Sequence, residues 1–245
     1  MTEIQTLSSS FRKQMKIYDN NERLVDVRAQ CPNVMYEIAS YLNQDGNHPL
    51  EIEDAYYVRE SIAKMINKAE SYLPKDIKFL LRCGYRTPGV QARQYKKDYE
   101  DLRQENPNWS KAKLDIEIEK RTDPPEVGPH CTGGAIDISI VNRNGEKIDM
   151  GTNMGVFNYK TYTDSDTISY ESKANRQILI YAMTRAGFLN FPGEWWHWSC
   201  GDREWAYANK QKPFYGSIAQ RNGSAQSNDN SFTDSVLEAT TVVSN

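Results

Sequence analysis

The chain contains three histidines, and two of them stand close in sequence to a carboxylate: His130 with Asp137, and His197 with Glu194 in the run Gly193-Glu194-Trp195-Trp196-His197-Trp198. Two imidazoles and one carboxylate bind zinc and leave its fourth position open, as a hydrolytic site requires. A further carboxylate that need not be a ligand can take a proton from the attacking water. Together the two segments offer a complete catalytic set. Taken singly, His130 reads as a capped loop histidine and Asp137 as a hydrogen-bonded strand carboxylate. An aspartate inside a strand is costly unless it is paired or bound to a metal.

These residues must be brought together by the elements that carry them. His130 follows the Pro/Gly loop 123–129, and Asp137 falls in a strand predicted over Ala135 to Val141. Along that strand Ala135, Asp137 and Ser139 share one face and Ile136, Ile138 and Ile140 the other. Gly133-Gly134 permits the sharp path that lets both side chains reach one point. Glu194 and His197 are three apart and would face opposite ways on a regular strand. The strand-like stretch from Phe188 to Trp198 must therefore turn or bulge if both serve one site. Trp195, Trp196 and Trp198 supply an apolar wall that would raise the pKa of Glu194.

Elsewhere the pattern predicts a short strand at Leu24–Val27 and a helix over 54–73 stopped by Pro74. A half-buried strand follows, with Ile77, Phe79, Leu81 and Cys83 on one alternation. After Gly84-Tyr85-Arg86, Thr87 is an N-cap with Pro88 at the first helical position. That helix runs to near Pro107, and a second amphipathic stretch spans 110–121 with Ser110 as its cap. Asn144-Gly145 marks a turn, 152–170 a long surface loop, and 171–186 a helix ended by Gly187. Residues 1–20 are expected to be a flexible segment, 21–216 the functional domain, and 217–245 a disordered polar tail, with an apolar patch around Val236, Leu237, Val242 and Val243.

The bulk properties narrow the function. A chain of 245 residues fits one domain with tails, and 26% charged with 38% hydrophobic residues is a globular balance. A net charge of -3 without a basic stripe argues against a nucleic-acid partner. No membrane span is expected, and no secretory leader is read at the start, so a cytoplasmic location is expected. The four cysteines include no CxxC pair. Cys131 and Cys200 lie beside the two histidines but read as small buried thiols, because a carboxylate is already available as ligand.

The two segments resemble the zinc D-alanyl-D-alanine peptidase family (peptidase family M15), most closely its VanX-type dipeptidase branch. The family pattern is a His, then G-x-A-x-D, then E-x-W-H. Here it is His130, Gly133, Ala135 and Asp137, followed by Glu194, Trp196 and His197. Gly84-Tyr85-Arg86 resembles the family's GYR segment. Val25-Asp26-Val27-Arg28 and Asp149-Met150-Gly151-Thr152 resemble branch segments more weakly. The likeness runs over roughly residues 24–215.

The resemblance implies an α+β fold of the Hedgehog/DD-peptidase type, with a small, mainly antiparallel sheet and flanking helices. It implies one Zn2+ per chain on His130, Asp137 and His197, with Glu194 as base and later acid. Arg86 would steady the oxyanion, and Tyr85, Trp195 and Trp196 would contact a small peptide substrate. In this chain Gly128 stands where family members often carry Ser. Gly155 stands where they often carry an Asp that holds the substrate's amine. Either Asp164 or Asp166 then reaches in, or the substrate is longer than a dipeptide. The expected activity is hydrolysis of D-alanyl-D-alanine or a similar small D,D-dipeptide. The rivals are a D,D-carboxypeptidase acting on longer wall peptides and a zinc-bearing binding module.

Overall fold

Runs of β-branched and aliphatic residues at Ile77–Cys83 and Ala135–Asn142 form the two longest strands, and the rest of the sheet is built on them. The structure, a computed structural model, describes residues 7–37 and 49–221. In chain order the strands are β1 (Leu24–Asp26), β2 (Met35–Tyr36), β3 (Tyr57–Arg59), β4 (Ile77–Cys83), β5 (Ala135–Asn142), β6 (Leu189–Asn190) and β7 (His197–Ser199). The helices are α1 (Ser9–Gln14), α2 (Val27–Gln30), α3 (Pro49–Asp54), α4 (Glu60–Glu70), α5 (Pro88–Glu105), α6 (Lys111–Ile118), α7 (Tyr170–Ala186) and α8 (Arg203–Ala208).

The main sheet has the order β2-β4-β5-β7-β6, and β1 and β3 pair separately. Only the β2–β4 pairing is parallel; the other three in the main sheet are antiparallel. This is the mainly antiparallel α+β architecture expected. Ile136, Ile138 and Ile140 of β5 and Phe79 and Leu81 of β4 bury one face of the sheet. They pack with Ile62 and Ile66 of α4 and Leu179 and Met183 of α7 in a single core. The opposite face of β5 carries Asp137 and Ser139, as the period of two requires.

Helix α5 starts as its sequence dictates. The Thr87 hydroxyl accepts the Val90 N–H at 3.2 Å, and Pro88 supplies a preset φ at a position where no N–H is needed. Helices α5 and α6 form a hairpin with a small core of Leu102, Leu114 and Ile118. Helix α7 ends on Gly187 at φ 108°.

Four local expectations are corrected. The helix predicted over 54–73 begins only at Glu60, because Tyr57–Arg59 pairs with β1 and the helical apolar period starts at Ile62. The β4 alternation breaks at a bulge: Leu81 pairs with Ile138, but Cys83 pairs with Asp137. Arg82 is the extra residue, so Cys83 moves from the core face to the face of Asp137. Phe188–Trp198 is two short strands joined by a tight turn, not one. Residues 9–14, expected to be flexible, form a helix whose Arg12 is buried against Asp123 and Glu204.

The surface loop expected over 152–170 is partly internal. Met154, Thr161 and Ser165 are buried, and Arg176 of α7 donates to the carbonyls of Met150, Tyr162 and Lys160 at 2.6–2.8 Å. The polar tail lies outside the described residues from 222 onward, including its apolar patch. Before that point Ile218 donates its N–H to the Cys131 carbonyl at 2.8 Å.

Candidate metal centre and catalytic cleft

Register alone brings Asp137 and His197 together. They are direct cross-strand partners on β5 and β7, so their side chains stand on the same face. His197 Nδ1 lies 3.2 Å from Asp137 Oδ1. His130 arrives from a one-turn 3-10 helix, Pro129–Thr132, that ends in Gly133 at φ 70°. The positive φ demands glycine there, and a Cβ would also stand 2.5 Å from Leu24 Cδ2 and push that side chain aside.

The His130 ring is fixed by Nδ1, which lies 2.7 Å from the Gly84 carbonyl oxygen and donates to it. Its Nε2 therefore offers a lone pair, 3.2 Å from His197 Nδ1 and 3.3 Å from Asp137 Oδ1. Three donor atoms thus form a nearly equilateral triangle. Ligands about 2.0–2.1 Å from a tetrahedral zinc stand about 3.3–3.4 Å from one another, so the set fits such an ion. The Gly84 carbonyl on the far side of His130 is the kind of outer contact that fixes a ligating tautomer.

Electrostatics around the cluster point the same way. Burial opposes charge on His130, but the Asp137 carboxylate outweighs it and pushes the imidazole up to about 10. Burial also opposes the Asp137 anion, yet the imidazoles prevail and hold the carboxyl well below the usual range. The Asp137 anion thus favours a positive charge beside it, either a proton on His130 or a cation in that proton's place.

Glu194 sits on the turn between β6 and β7. The turn is closed by the His197 N–H on the Glu194 carbonyl at 3.1 Å. It is clamped by the Asn190 side-chain amide, which donates to the carbonyls of Glu194 and His197 at 3.1 and 3.0 Å. This is the turn that the three-residue spacing required. Glu194 Oε2 comes to 3.9 Å from His197 Nδ1. Burial, and then the nearby Asp137 charge, raise the Glu194 pKa well above the ordinary carboxylate range.

Arg86 leaves the end of β4 with its backbone N–H on the His130 carbonyl at 3.2 Å. Its Nη1 donates to Gln91 Oε1 at 2.7 Å, and its Nη2 stands 3.9 Å from Asp137 Oδ2. Gln91 in turn donates to the Asp123 carbonyl at 2.6 Å. It is a positioning side chain that the sequence did not mark, because a glutamine in the first turn of a helix looks like any other polar residue. Gly128 packs against it: a Cβ there would meet Gln91 Cδ at 3.3 Å. Cys83 is a second missed neighbour, brought to the site by the bulge. Its burial is outweighed by Arg86, which draws the thiol down to about 7.

These groups open into a cleft of about 340 Å³ between α5, the 121–130 loop, the 155–157 segment and the β6–β7 turn. Trp196, Phe157 and Phe191 line it. Tyr85 does not, and Trp195 lines an adjoining pocket that shares Arg82 and Gly155 with the cleft. The Tyr85 hydroxyl donates to the Ile218 carbonyl at 2.7 Å, and the Trp195 indole N–H to Thr152 Oγ1 at 2.9 Å. Gly155 lies on the cleft wall, and its Cβ would stand 3.0 Å from Arg82 Nη2. Asp164 and Asp166 are exposed and do not line the cleft, so neither reaches in.

Comparison with known proteins gives the family. Residues 21–216 match the profile of peptidase family M15, described as D-Ala-D-Ala dipeptidase. The chain belongs to that family of metallopeptidases. It is 36% identical over 109 residues to the D-alanyl-D-alanine dipeptidase of Synechocystis sp. PCC 6803, covering 40% of this chain and 44% of that one. It is 29% identical over 68 residues to the D-alanyl-D-alanine dipeptidase of Escherichia coli K12, covering 28% and 35%. The aligned part is thus less than half the length of these relatives. Among solved structures it is similar to the zinc complex of a vancomycin-resistance D,D-pentapeptidase VanY variant, with a TM-score of 0.38 at 15% identity over 63% of this chain and 77% of that one. The LdcB LD-carboxypeptidase gives 0.39 at 16% over 80% and 76%.

Proposed function

We propose that this chain hydrolyses D-alanyl-D-alanine or a similar small D,D-dipeptide, with one Zn2+ per chain held by His130, Asp137 and His197. What supports this most directly is the convergence of three donor atoms at 3.2–3.3 Å with Glu194 and Arg86 beside them. The ion, when bound, supplies Lewis-acid polarisation and makes water acidic enough to be a nucleophile at neutral pH.

Glu194 is the proton carrier. Its carboxylate takes a proton from the attacking water and returns it to the departing amine. The buried setting that raises its pKa serves both halves of that task, because the group must accept and release within one turnover. Arg86, braced by Gln91, presents a fixed positive charge to the oxygen on which negative charge develops. Trp196, Phe157 and Phe191 add apolar surface to a cleft otherwise lined mostly by charged and polar side chains. Retention of a base and an arginine favours an enzyme over a binding module, since a structural zinc needs neither.

Cytoplasmic action belongs to the same proposal. The four cysteines, buried and present as free thiols, suit a reducing compartment. Recovery of the native protein outside the cytoplasm would overturn that part.

The test is mass spectrometry of the zinc-loaded protein with D-Ala-D-Ala and with a D-Ala-D-Ala-ending pentapeptide. Release of D-alanine from the dipeptide is expected. Cleavage of the pentapeptide alone would instead make the chain a D,D-carboxypeptidase. Glu194→Ala is expected to retain zinc and lose turnover.

A further inference from the structure

Carboxylates along the cleft are largely matched by cations or donors. Lys97 pairs with Asp101, Arg121 with Glu105, and Arg12 with both Asp123 and Glu204. Outside the catalytic centre Asp98 of α5 stands apart. It is 6% exposed, lines the cleft, and accepts the Gln94 side-chain amide on Oδ1 at 2.7 Å. Its Oδ2 is buried and has no hydrogen-bond partner among the described residues.

A buried carboxylate oxygen without a donor costs free energy. Nearby groups offset this only in part: Gln94, Arg86 and Lys97 favour the anion, burial outweighs them, and Asp98 lies past the middle of an 18-residue helix, away from the end whose dipole would help. Burial correspondingly raises its pKa. Such a group is retained where a ligand relieves the cost. The opposite wall says which ligand. There Gly155 carries no side chain, and the guanidinium of Arg82 fills the adjacent space. That wall repels a cation, and α5 attracts one.

We propose that Asp98 is the counter-charge for a primary ammonium group of the substrate, a specificity-determining residue set on α5. It stands two turns beyond Gln91, about 10 Å along the helix, in the outer part of the cleft. The ammonium is either the free amino terminus of a dipeptide or a side-chain amine of a longer peptide ending in D-Ala-D-Ala. The assignment rests on the proposed hydrolysis of D,D-peptides.

The experiment measures binding by calorimetry to the full-length, zinc-loaded Glu194→Gln protein, which is not expected to turn ligands over. Two ligand pairs are used: D-Ala-D-Ala against N-acetyl-D-Ala-D-Ala, and Nα-acetyl-lysyl-D-Ala-D-Ala against its Nε-acetylated form. In one pair the free ammonium is expected to bind about tenfold or more tighter than its acetylated counterpart. Adding Asp98→Asn, which keeps shape and removes charge, is expected to erase that preference. The pair that shows it identifies the source of the ammonium. No preference in either pair, a preference that survives Asp98→Asn, or no binding of any ligand overturns the proposal. Turnover of the same four compounds by the unmodified chain tests hydrolysis separately. An Asp98-dependent preference without turnover sinks the hydrolytic function and leaves the subsite standing; turnover without the preference does the reverse.

Discussion

Asp137 shows how much one side chain can be asked to do. Its Oδ1 faces both imidazoles, its Oδ2 faces Arg86, and its strand neighbours are His197 on one side and Cys83 on the other. Asp137→Asn keeps the volume and removes the charge that balances them. Zinc affinity is expected to fall by at least about 10–100-fold, read by competition with a chelating dye, because a ligand is lost and not merely its support. Asp98 makes a prediction of the opposite sign. Burial raises its pKa, so its anion weakens the fold. The cost is absent below the ordinary carboxylate range, where the group is protonated in both states, and grows as pH rises above that range. Asp98→Asn is therefore expected to melt higher than the native chain at neutral pH and equally at acid pH. Equal melting at both pH values would show that the carboxylate is already compensated.

At the scale of elements, the β6–β7 turn carries Glu194 and delivers the chain to His197 at the start of β7. Asn190 holds it through two carbonyls, those of Glu194 and His197. Asn190→Ala leaves both without that donor and is expected to cost about 1–3 kcal/mol of stability in urea unfolding. It is also expected to weaken zinc binding while the far-ultraviolet circular dichroism stays native. The bulge at Arg82 works in a comparable way on β4: one additional residue turns Cys83 toward Asp137 and aims the chain at Gly84, whose carbonyl orients His130. Neither device changes the core face, where Phe79, Leu81 and the β5 isoleucines keep their period of two.

Across the whole molecule, the site ties together segments distant in sequence. His130 and Asp137 come from one stretch, and His197 lies 60 residues beyond Asp137. An ion held by all three, as proposed, would cross-link the folded state alone, so zinc at about a thousandfold over its Kd is expected to stabilise the chain by about 4 kcal/mol. A chelator should reverse the rise in Tm. The N-terminal helix contributes to the same architecture. Arg12, buried, pairs with Asp123 at 2.8 Å and with Glu204 at 3.2 Å across the outer cleft. Arg12→Met is expected to destabilise the protein by about 3–5 kcal/mol, because two carboxylates then share a dry site without their cation. A loss near zero in chemical denaturation would show that the helix merely rests on the surface.

Composition and spacing were sufficient to nominate the histidines, carboxylates and arginine that the fold brings together, and to place the strands and caps that carry them. Those signals are local: an apolar period of two or 3.6, a hydroxyl before a proline, a histidine at fixed distance from an acid. They fail where position depends on partners remote in the chain. Tyr57–Arg59 became a strand because β1 was there to pair with it. Tyr85 and Trp195 turn their polar ends to Ile218 and Thr152, partners that no local pattern announces. Arg12, Gln91 and Asp98 acquired their roles only when helices and loops closed around a common cleft. A sequence lists which groups can bind a metal or move a proton, but burial and the partner across the gap decide which charge is balanced, and those are properties of the folded chain.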